Sequence, residues 1–223
     1  MIDYAAARLN LVESQVRPNN VRDRRLIAAM SEIPRELFVP QALRGVAYMD
    51  EDIKISEASD AMSARYLMEP RVFAKLVDLC QILPSDLVLD IGCGTGYSTA
   101  VLARLASTVV ALEADEKLAT QADETLAELG IDNAAMVRGP LKDGYPGQGP
   151  YDVILLSGSV PAVPASLKQQ LKDGGRLVAV EAGAGAGSAR LYVRSGEVVS
   201  GRAVFDAMVA PLPGFELAER FQF

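Results

Sequence analysis

The spacing of hydrophobic positions along this chain changes at Pro70. Before Pro70, apolar residues recur at helical spacing in two stretches, which predicts two helices near the N-terminus. Asp23 is a suitable capping residue for the second of these helices, and Pro34 ends it. The elements expected here are a helix over residues 3–17, a helix between Asp23 and Pro34, a short helix or extended run over residues 35–48, and a polar loop over residues 49–67 with at most one short strand at residues 53–55.

From Pro70 onward, short apolar runs alternate with amphipathic segments. Residues 87–90 (LVLD) form a continuous apolar run before an acid, which is typical of a strand buried on both faces. Alternation of strand and helix predicts a doubly wound, mainly parallel sheet of seven strands with helices on both faces. The elements expected are helices at residues 70–82, 97–106, 116–130 and 166–175, strands at 87–90, 108–113, 135–137, 151–156 and 176–180, an antiparallel hairpin at one edge over 190–201, and a last strand within 204–212.

The organisation predicted for the chain is a single domain over residues 1–223. The first 50 residues are too few to form a stable domain alone, so we expect them to be a helical cap on the sheet. Residues 70–223 would form the α/β core that binds a ligand.

Composition and charge narrow the possible partners. Half of the residues are hydrophobic, at 50%, and the formal net charge is −7. A negative charge argues against a nucleic-acid or anionic-membrane partner, because both need a positive surface. The N-terminus does not resemble a signal peptide, and no run of about 18 apolar residues occurs. We therefore expect a cytoplasmic protein without a membrane-spanning segment.

The cysteine and histidine content excludes several kinds of catalytic site. Cys80 and Cys93 form neither a CxxC motif nor a disulfide framework. The sequence contains no histidine, which excludes histidine-based triads, histidine metal ligands and a histidine general base. No metal site is expected.

The stretch Asp90–Ala100, DIGCGTGYSTA, carries the clearest chemical signal. It follows a buried strand and begins a helix, which is the context expected of a nucleotide-type glycine loop. Glycines at alternate positions let the backbone turn tightly and approach a ligand closely. Open α/β sheets bind ligands at the carboxyl ends of their strands, where this loop lies.

The acids around this loop favour S-adenosylmethionine over a dinucleotide. A dinucleotide loop has the pattern GxGxxG and holds a pyrophosphate, whereas this loop has an acid, Asp90, followed by GxGxG. An acid suits the amino and sulfonium groups of S-adenosylmethionine better than it suits a phosphate. Glu113 ends the second strand, 21 residues after Gly92, where a carboxylate can accept both ribose hydroxyls. A nicotinamide cofactor and a plain strand-to-helix turn are the alternatives.

The chain resembles the protein-L-isoaspartate O-methyltransferases, a family of Rossmann-like methyltransferases, over nearly its whole length. The segments that carry the resemblance are VESQVRPNNVRDRRLIAAMSEIPRELFV, YMDEDIKIS, VLDIGCGTGY, VPAVPASLKQQLKDGGRLV and FDAMVAPLPG. The resemblance implies methyl transfer from S-adenosylmethionine to the carboxylate of isoaspartyl residues in damaged proteins. A carboxylate is already ionised at pH 7, so this acceptor needs no general base and fits the missing histidines.

The resemblance also implies a set of cofactor-binding residues. Most lie in the first glycine loop, at the end of the second strand, in the loop after the third strand and at the end of the fourth strand. They are Asp90, Gly92, Cys93, Gly94 and Gly96, then Glu113 and Ala114, then Gly139 and Pro140, and Ser157.

Two loops differ from the family pattern. The family has Gly-Asp-Gly after its third strand, where the aspartate meets adenine; this chain has Gly139-Pro140-Leu141, with Asp143 nearby as a replacement. The family also has Thr-Ile-Ser-x-Pro before its first Rossmann helix, and the serine contacts substrate. Counting back from Pro70 puts Met68 at the serine position.

A competing alignment aligns Ala61-Met62-Ser63 with that family segment, so that Ser63 takes the serine role as the candidate catalytic residue and a longer loop follows it. The departures leave two hypotheses open. The chain is either an isoaspartyl methyltransferase, or a divergent member that binds S-adenosylmethionine and methylates another acceptor or none.

Overall fold

The N-terminal layer consists of short helical segments. The computed structural model describes residues 2–59, 62–182 and 186–216. The side chain of Asp3 caps the first helix, and that of Asp23 caps the second by accepting from the backbone N–H of Arg25 at 2.8 Å. Both predicted helices are confirmed. The segments are α1 (Tyr4–Leu11), which continues through a π-helical turn (Val12–Val16) and a 3₁₀ turn (Arg17–Asn19), then α2 (Arg24–Glu32) and two 3₁₀ turns (Arg35–Phe38 and Gln41–Val46).

A small antiparallel hairpin connects this layer to the main sheet. It consists of β1 (Ile53–Ser56), which was predicted, and β2 (Arg65–Leu67), which was not. Ile53 pairs with Leu67 across the two strands. Three residues are too few to carry a period in the sequence, so pairing with β1 is what makes β2 a strand.

The main sheet confirms the predicted fold class. The elements from Pro70 onward are α3 (Pro70–Cys80), β3 (Leu87–Ile91), α4 (Tyr97–Ala103), β4 (Thr108–Glu113), α5 (Glu116–Glu128), β5 (Ala134–Arg138), β6 (Tyr151–Val160), α6 (Ala165–Gln169), β7 (Leu171–Glu181), β8 (Ser188–Ser195) and β9 (Val198–Asp206). The strand order in the sheet is β5-β4-β3-β6-β7-β8-β9, with parallel pairing from β5 to β7 and antiparallel pairing of β8 and β9 at one edge. The strand order reverses between β3 and β6, which makes the ends of these two strands the ligand-binding crevice of an open sheet.

The sheet has a hydrophobic core on each face. Alternate residues of one strand point to opposite faces, so Val153 packs with the N-terminal layer and α3, whereas Ile154 packs with α6 and the C-terminal segment. The N-terminal helices contribute to the same core as the central strands. This shared core fixes the N-terminal layer beside the ends of β3 and β6.

The helix predicted over residues 166–175 is wrong in its second half, because α6 ends at Gln169. The Gln170 side chain accepts from the backbone N–H of Tyr145 at 3.0 Å and donates to the backbone oxygen of Asp143 at 2.8 Å. Its backbone oxygen accepts from the N–H of Tyr151 at 2.8 Å. The N–H of Gln170 still bonds back to Leu167 at 3.1 Å, but its backbone oxygen pairs with Tyr151 instead of continuing the helix, and residues 171–175 join β7.

The last strand predicted within residues 204–212 is also wrong. Residues up to Asp206 extend β9, where Asp206 pairs with Ser188. Beyond them, as far as Glu216, the structure shows only an isolated bridge between Ser159 and Pro211, in which Ser159 bonds to the backbone of Ala210 and Leu212. This segment instead returns Leu212 to the glycine loop.

Candidate functional site

The glycine loop after β3 turns tightly enough to bring its backbone to the end of β4. Gly92, Gly94 and Gly96 all have positive φ angles, at 77°, 58° and 97°. A Cβ atom on Gly96 would lie 3.0 Å from the Cβ of Ala122 on α5, which leaves no room for a side chain. The turn points the N–H of Gly94 at the carboxylate of Glu113, at 2.8 Å.

Asp90, the next-to-last residue of β3, is a fully buried acid that accepts hydrogen bonds from three hydroxyl groups. Its Oδ2 accepts from Ser98 at 2.6 Å and Thr99 at 2.7 Å, and its Oδ1 accepts from Ser157 at 2.7 Å. Burial raises the pKa of Asp90, and the three hydroxyl hydrogen bonds offset part of that rise. The structure thus brings together Asp90 and Ser157, which were predicted, and two hydroxyls that were not. The two additional hydroxyls belong to the first turn of α4, in the motif itself.

Glu113 ends β4 and is surrounded by donors. Its Oε1 accepts from the backbone N–H groups of Ala114 at 2.8 Å and Asp115 at 3.0 Å, and its Oε2 accepts from Gly94. Arg65 of β2 completes the set, donating to both carboxylate oxygens, with Nη2 to Oε2 at 2.9 Å. Sequence reasoning missed Arg65. It lies 48 residues from Glu113, and no local pattern indicates the pairing.

Five of the ten predicted cofactor residues line one of two cavities, and the other five line neither. A narrow cavity of about 20 Å³ is lined by Met68, Gly92, Cys93, Ser98 and Ser157, among others. An open groove of about 170 Å³ has a different lining, formed by Met62, Ala114, Pro140, Leu141, Lys142, Pro213 and Gly214. The Arg65–Glu113 pair bonds to one lining residue of each cavity, Gly92 in the first and Ala114 in the second.

The two candidate serine positions differ in their surroundings. Met68 is buried, at 6% exposure, and its side chain lines the narrow cavity. Ser63 is exposed on the segment between β1 and β2. Ala61 of the competing alignment lies outside the described residues. The structure therefore places Met68 nearer the predicted cofactor loop, and the catalytic role of Ser63 stays a prediction.

The loop after β5 starts beside Glu113, the acid predicted to bind the ribose. The N–H of Gly139 donates to the backbone oxygen of Glu113 at 3.2 Å, and Pro140 precedes a 3₁₀ turn over Leu141–Asp143. Asp143 is exposed, and it is Lys142 that lines the groove. The two loops at which the sequence departs from the family pattern thus border different cavities.

Burial affects the other titratable groups of the narrow cavity. It raises the pKa of the Cys93 thiol well above its usual value, and it raises the pKa of Tyr97. Both groups are therefore neutral near pH 7. In the described ranges no three histidine, cysteine or acidic side chains are arranged to hold a metal ion. None of the helices that the structure describes is long and apolar enough to cross a membrane.

Comparison with known proteins identifies one family. The model of the family "Protein-L-isoaspartate(D-aspartate) O-methyltransferase (PCMT)" matches residues 7–212. The chain is 34% identical over 213 residues to a protein-L-isoaspartate O-methyltransferase of Roseiflexus sp. (strain RS-1), covering 96% of this chain and 94% of the relative. It is 40% identical over 172 residues to one of Methanoculleus marisnigri, covering 77% and 76%.

Solved structures agree with this match. One protein-L-isoaspartate O-methyltransferase superposes with a TM-score of 0.81 at 27% identity, covering 93% of this chain and 66% of the other. A Plasmodium falciparum protein, described as a putative protein-L-isoaspartate O-methyltransferase in complex with S-adenosyl-L-homocysteine, superposes with a TM-score of 0.73 at 18% identity, covering 91% of this chain and 96% of the other. Because the Plasmodium falciparum protein is only 18% identical to this chain, its similarity is evidence for the fold and not for a shared function.

Proposed function

The chain belongs to the protein-L-isoaspartate(D-aspartate) O-methyltransferase family, and we propose that it transfers the methyl group of S-adenosylmethionine to the free carboxylate of isoaspartyl residues in damaged proteins. The observation that carries this proposal is the family match over residues 7–212, which includes the glycine loop and both acids. The switch point between β3 and β6, where Asp90 meets Ser157, supports it.

The residue types at the site suit the cofactor. Glu113 would accept the ribose hydroxyls, the backbone of Gly92 and Gly94 would lie against the ligand, and Ala114 and Pro140 would border the adenine. When bound, the cofactor supplies an electrophilic methyl group on a sulfonium. The geometry of the site suits the cofactor less well. Arg65 donates to both carboxylate oxygens of Glu113, and these are the atoms that would accept the ribose hydroxyls.

The protein's role in the reaction would be to orient the reactants and exclude water. An acceptor carboxylate has a pKa of about 4, so it is a nucleophile at neutral pH without a base. The buried side chains of Met68 and Phe73 give the narrow cavity an apolar wall, which would keep water away from the acceptor. Cys93 stays a neutral thiol and would not compete for the methyl group, since the thiolate is the nucleophile.

A second candidate is methylation of a different carboxylate by a divergent family member. The observation that favours it is that Met68 lines the narrow cavity, because counting back from Pro70 puts Met68 at the position of the family's substrate-contacting serine. The Gly139-Pro140-Leu141 segment, which replaces Gly-Asp-Gly, is a second departure at the other cavity.

A methylation assay tests both candidates. The protein is mixed with radiolabelled S-adenosylmethionine and an isoaspartyl peptide, and the base-labile methyl ester is measured as volatile methanol. The matched aspartyl peptide is the control. No ester above background at high enzyme concentration would refute isoaspartyl activity, and calorimetric binding of the cofactor in the same preparation would then favour the second candidate.

We also propose that residues 1–223 act as one domain in the cytoplasm. Sharing of one hydrophobic core by the N-terminal layer and the sheet supports the single domain. Cys80 and Cys93 are both buried free thiols, which suits a reducing compartment.

A further inference from the structure

Arg65 comes from outside the main sheet and places its charge in the predicted ribose site. It belongs to β2, and its side chain is 3% exposed while that of Glu113 is 0% exposed. Besides pairing with Glu113, its Nη2 donates to the backbone oxygen of Gly92 at 3.2 Å. One guanidinium thus contacts both the glycine loop and the acid that ends β4.

The hydrogen-bonding capacity of Glu113 is fully used. Its two oxygens accept five hydrogen bonds, two from Arg65 and one each from the N–H groups of Gly94, Ala114 and Asp115. A carboxylate offers about four lone-pair sites. The three backbone donors belong to the fold, so only the bonds from Arg65 can be exchanged for those of a ribose diol.

The ion pair contacts residues of both cavities. Arg65 contacts Gly92, which lines the narrow cavity, and Glu113 contacts Ala114, which lines the open groove. A ligand that touched both Gly92 and Ala114 would therefore lie beside this ion pair.

Strand β1 packs on the same loop. A Cβ atom on Gly94 would lie 2.7 Å from the Cδ1 of Ile55, so the loop backbone is in contact with this side chain. Ile55 is buried, at 8% exposure. The hairpin therefore covers the loop with an apolar side chain from β1 and a cation from β2.

We propose that Arg65 is an internal competitor for the ribose site, so that cofactor binding requires breaking its ion pair with Glu113 and displacing the β1–β2 hairpin. This inference rests on the cofactor named in the proposed function. The ribose diol replaces the guanidinium on Glu113, and the guanidinium regains water that burial had removed. The apparent affinity for the cofactor then equals the intrinsic affinity multiplied by the fraction of molecules in which the ion pair is broken.

Calorimetric titration with S-adenosylhomocysteine tests this competition. Arg65→Met keeps the apolar stem and removes the charge and its donors. We expect the Kd of this variant to be about tenfold lower than that of the wild type, because the competing group is gone. Arg71→Met is the matched control, since Arg71 pairs with Asp50 and Glu69 near the same hairpin but is 46% exposed. Its Kd should equal that of the wild type.

Hydrogen exchange of the wild-type protein provides a second readout that needs no variant. Addition of S-adenosylhomocysteine should reduce amide protection in Ile53–Ser56 and Arg65–Leu67 relative to the free protein. Unchanged or increased protection of both strands on binding would overturn the proposal. So would a folded Arg65→Met variant that binds no more tightly than the wild type.

The outcome of these measurements does not depend on whether the protein methylates isoaspartyl residues, because neither measurement includes a methyl acceptor. Tighter binding by Arg65→Met without any methyl ester would support the competition and refute isoaspartyl activity. Methyl ester formation with equal affinities in both proteins would refute the competition alone. If Arg65→Met does not fold, the exchange pattern of the wild type decides.

Discussion

The guanidinium of Arg35 donates a 2.7 Å hydrogen bond to the backbone oxygen of Met68, the residue predicted to take the family's serine position. It also donates to the backbone oxygen of Ala47 at 2.8 Å, and it lies 4.8 Å from the centre of the Tyr97 ring. Arg35 is fully buried, and burial lowers its pKa. One buried cation therefore ties the N-terminal layer to the segment that lines the narrow cavity.

Replacing Arg35 should destabilise the fold. Arg35→Ala leaves a cavity and two buried carbonyl oxygens without donors, which we expect to lower the free energy of unfolding by about 3 kcal/mol. Urea denaturation measures this change. Arg17→Ala is the control, since Arg17 pairs with Glu13 on the surface and is 52% exposed. A change for Arg35→Ala no larger than that of this control would contradict the role of the buried cation.

Introducing a serine at Met68 should increase isoaspartyl methylation. One neutral hydrogen bond is worth about 1 kcal/mol, so we expect Met68→Ser to raise kcat/KM for an isoaspartyl peptide about fivefold. The Kd for S-adenosylhomocysteine should stay the same, because the hydroxyl would contact the acceptor. Ser63→Ala is the companion variant and should leave both values unchanged. Lower activity in Ser63→Ala, with no gain in Met68→Ser, would favour the competing alignment.

Gly96 should tolerate substitution less well than another glycine with positive φ. Gly96→Ala combines a left-handed backbone with a contact of 3.0 Å to Ala122, and we expect it to cost about 3 kcal/mol of stability. At Gly130, where φ is +65° and no heavy atom lies within 4 Å of the position a Cβ would take, alanine should cost only about 1 kcal/mol. Thermal unfolding of both variants measures the difference. Equal losses would show that backbone conformation, not packing on α5, decides the cost.

Asp152 should make stability depend on acid pH. Burial by itself would raise the pKa of Asp152, but the N–H of Leu87 at 2.8 Å and the ammonium of Lys172 at 2.7 Å hold it below its usual value. The unfolded chain then binds more protons in acid, so the stabilisation is present above about pH 4 and is lost as the pH falls through the native pKa.

The variant Asp152→Asn should therefore lose stability at neutral pH and show a smaller further loss between pH 5 and about pH 3. Urea midpoints across this range measure the effect. Asp123→Asn, at an exposed position on α5, is the control and should follow the wild-type profile. If the urea midpoint of Asp152→Asn fell with pH as steeply as that of the wild type, this carboxylate would not be the cause of the acid dependence.

Local sequence patterns were enough to predict the central strands, the glycine loop and the two acids that flank it. Each depends on neighbours close in the chain: a continuous apolar run predicts a strand buried on both faces, and alternate glycines predict a turn that brings backbone close to a ligand. The family resemblance then indicated which ends of which strands would meet. Asp90 and Ser157, 67 residues apart, do meet across β3 and β6.

The end of α6 and the partners of Glu113 depend on contacts between distant parts of the chain. The backbone oxygen of Gln170 bonds to the N–H of Tyr151 and its side chain bonds to that of Tyr145, and local helix propensity does not predict these long-range partners. Likewise, β2 has no period of its own, and Arg65 meets Glu113 only because the hairpin folds back over the glycine loop. A buried ion pair forms where three-dimensional packing brings two charges together out of water. The separation of the two residues in the sequence does not predict that they will meet.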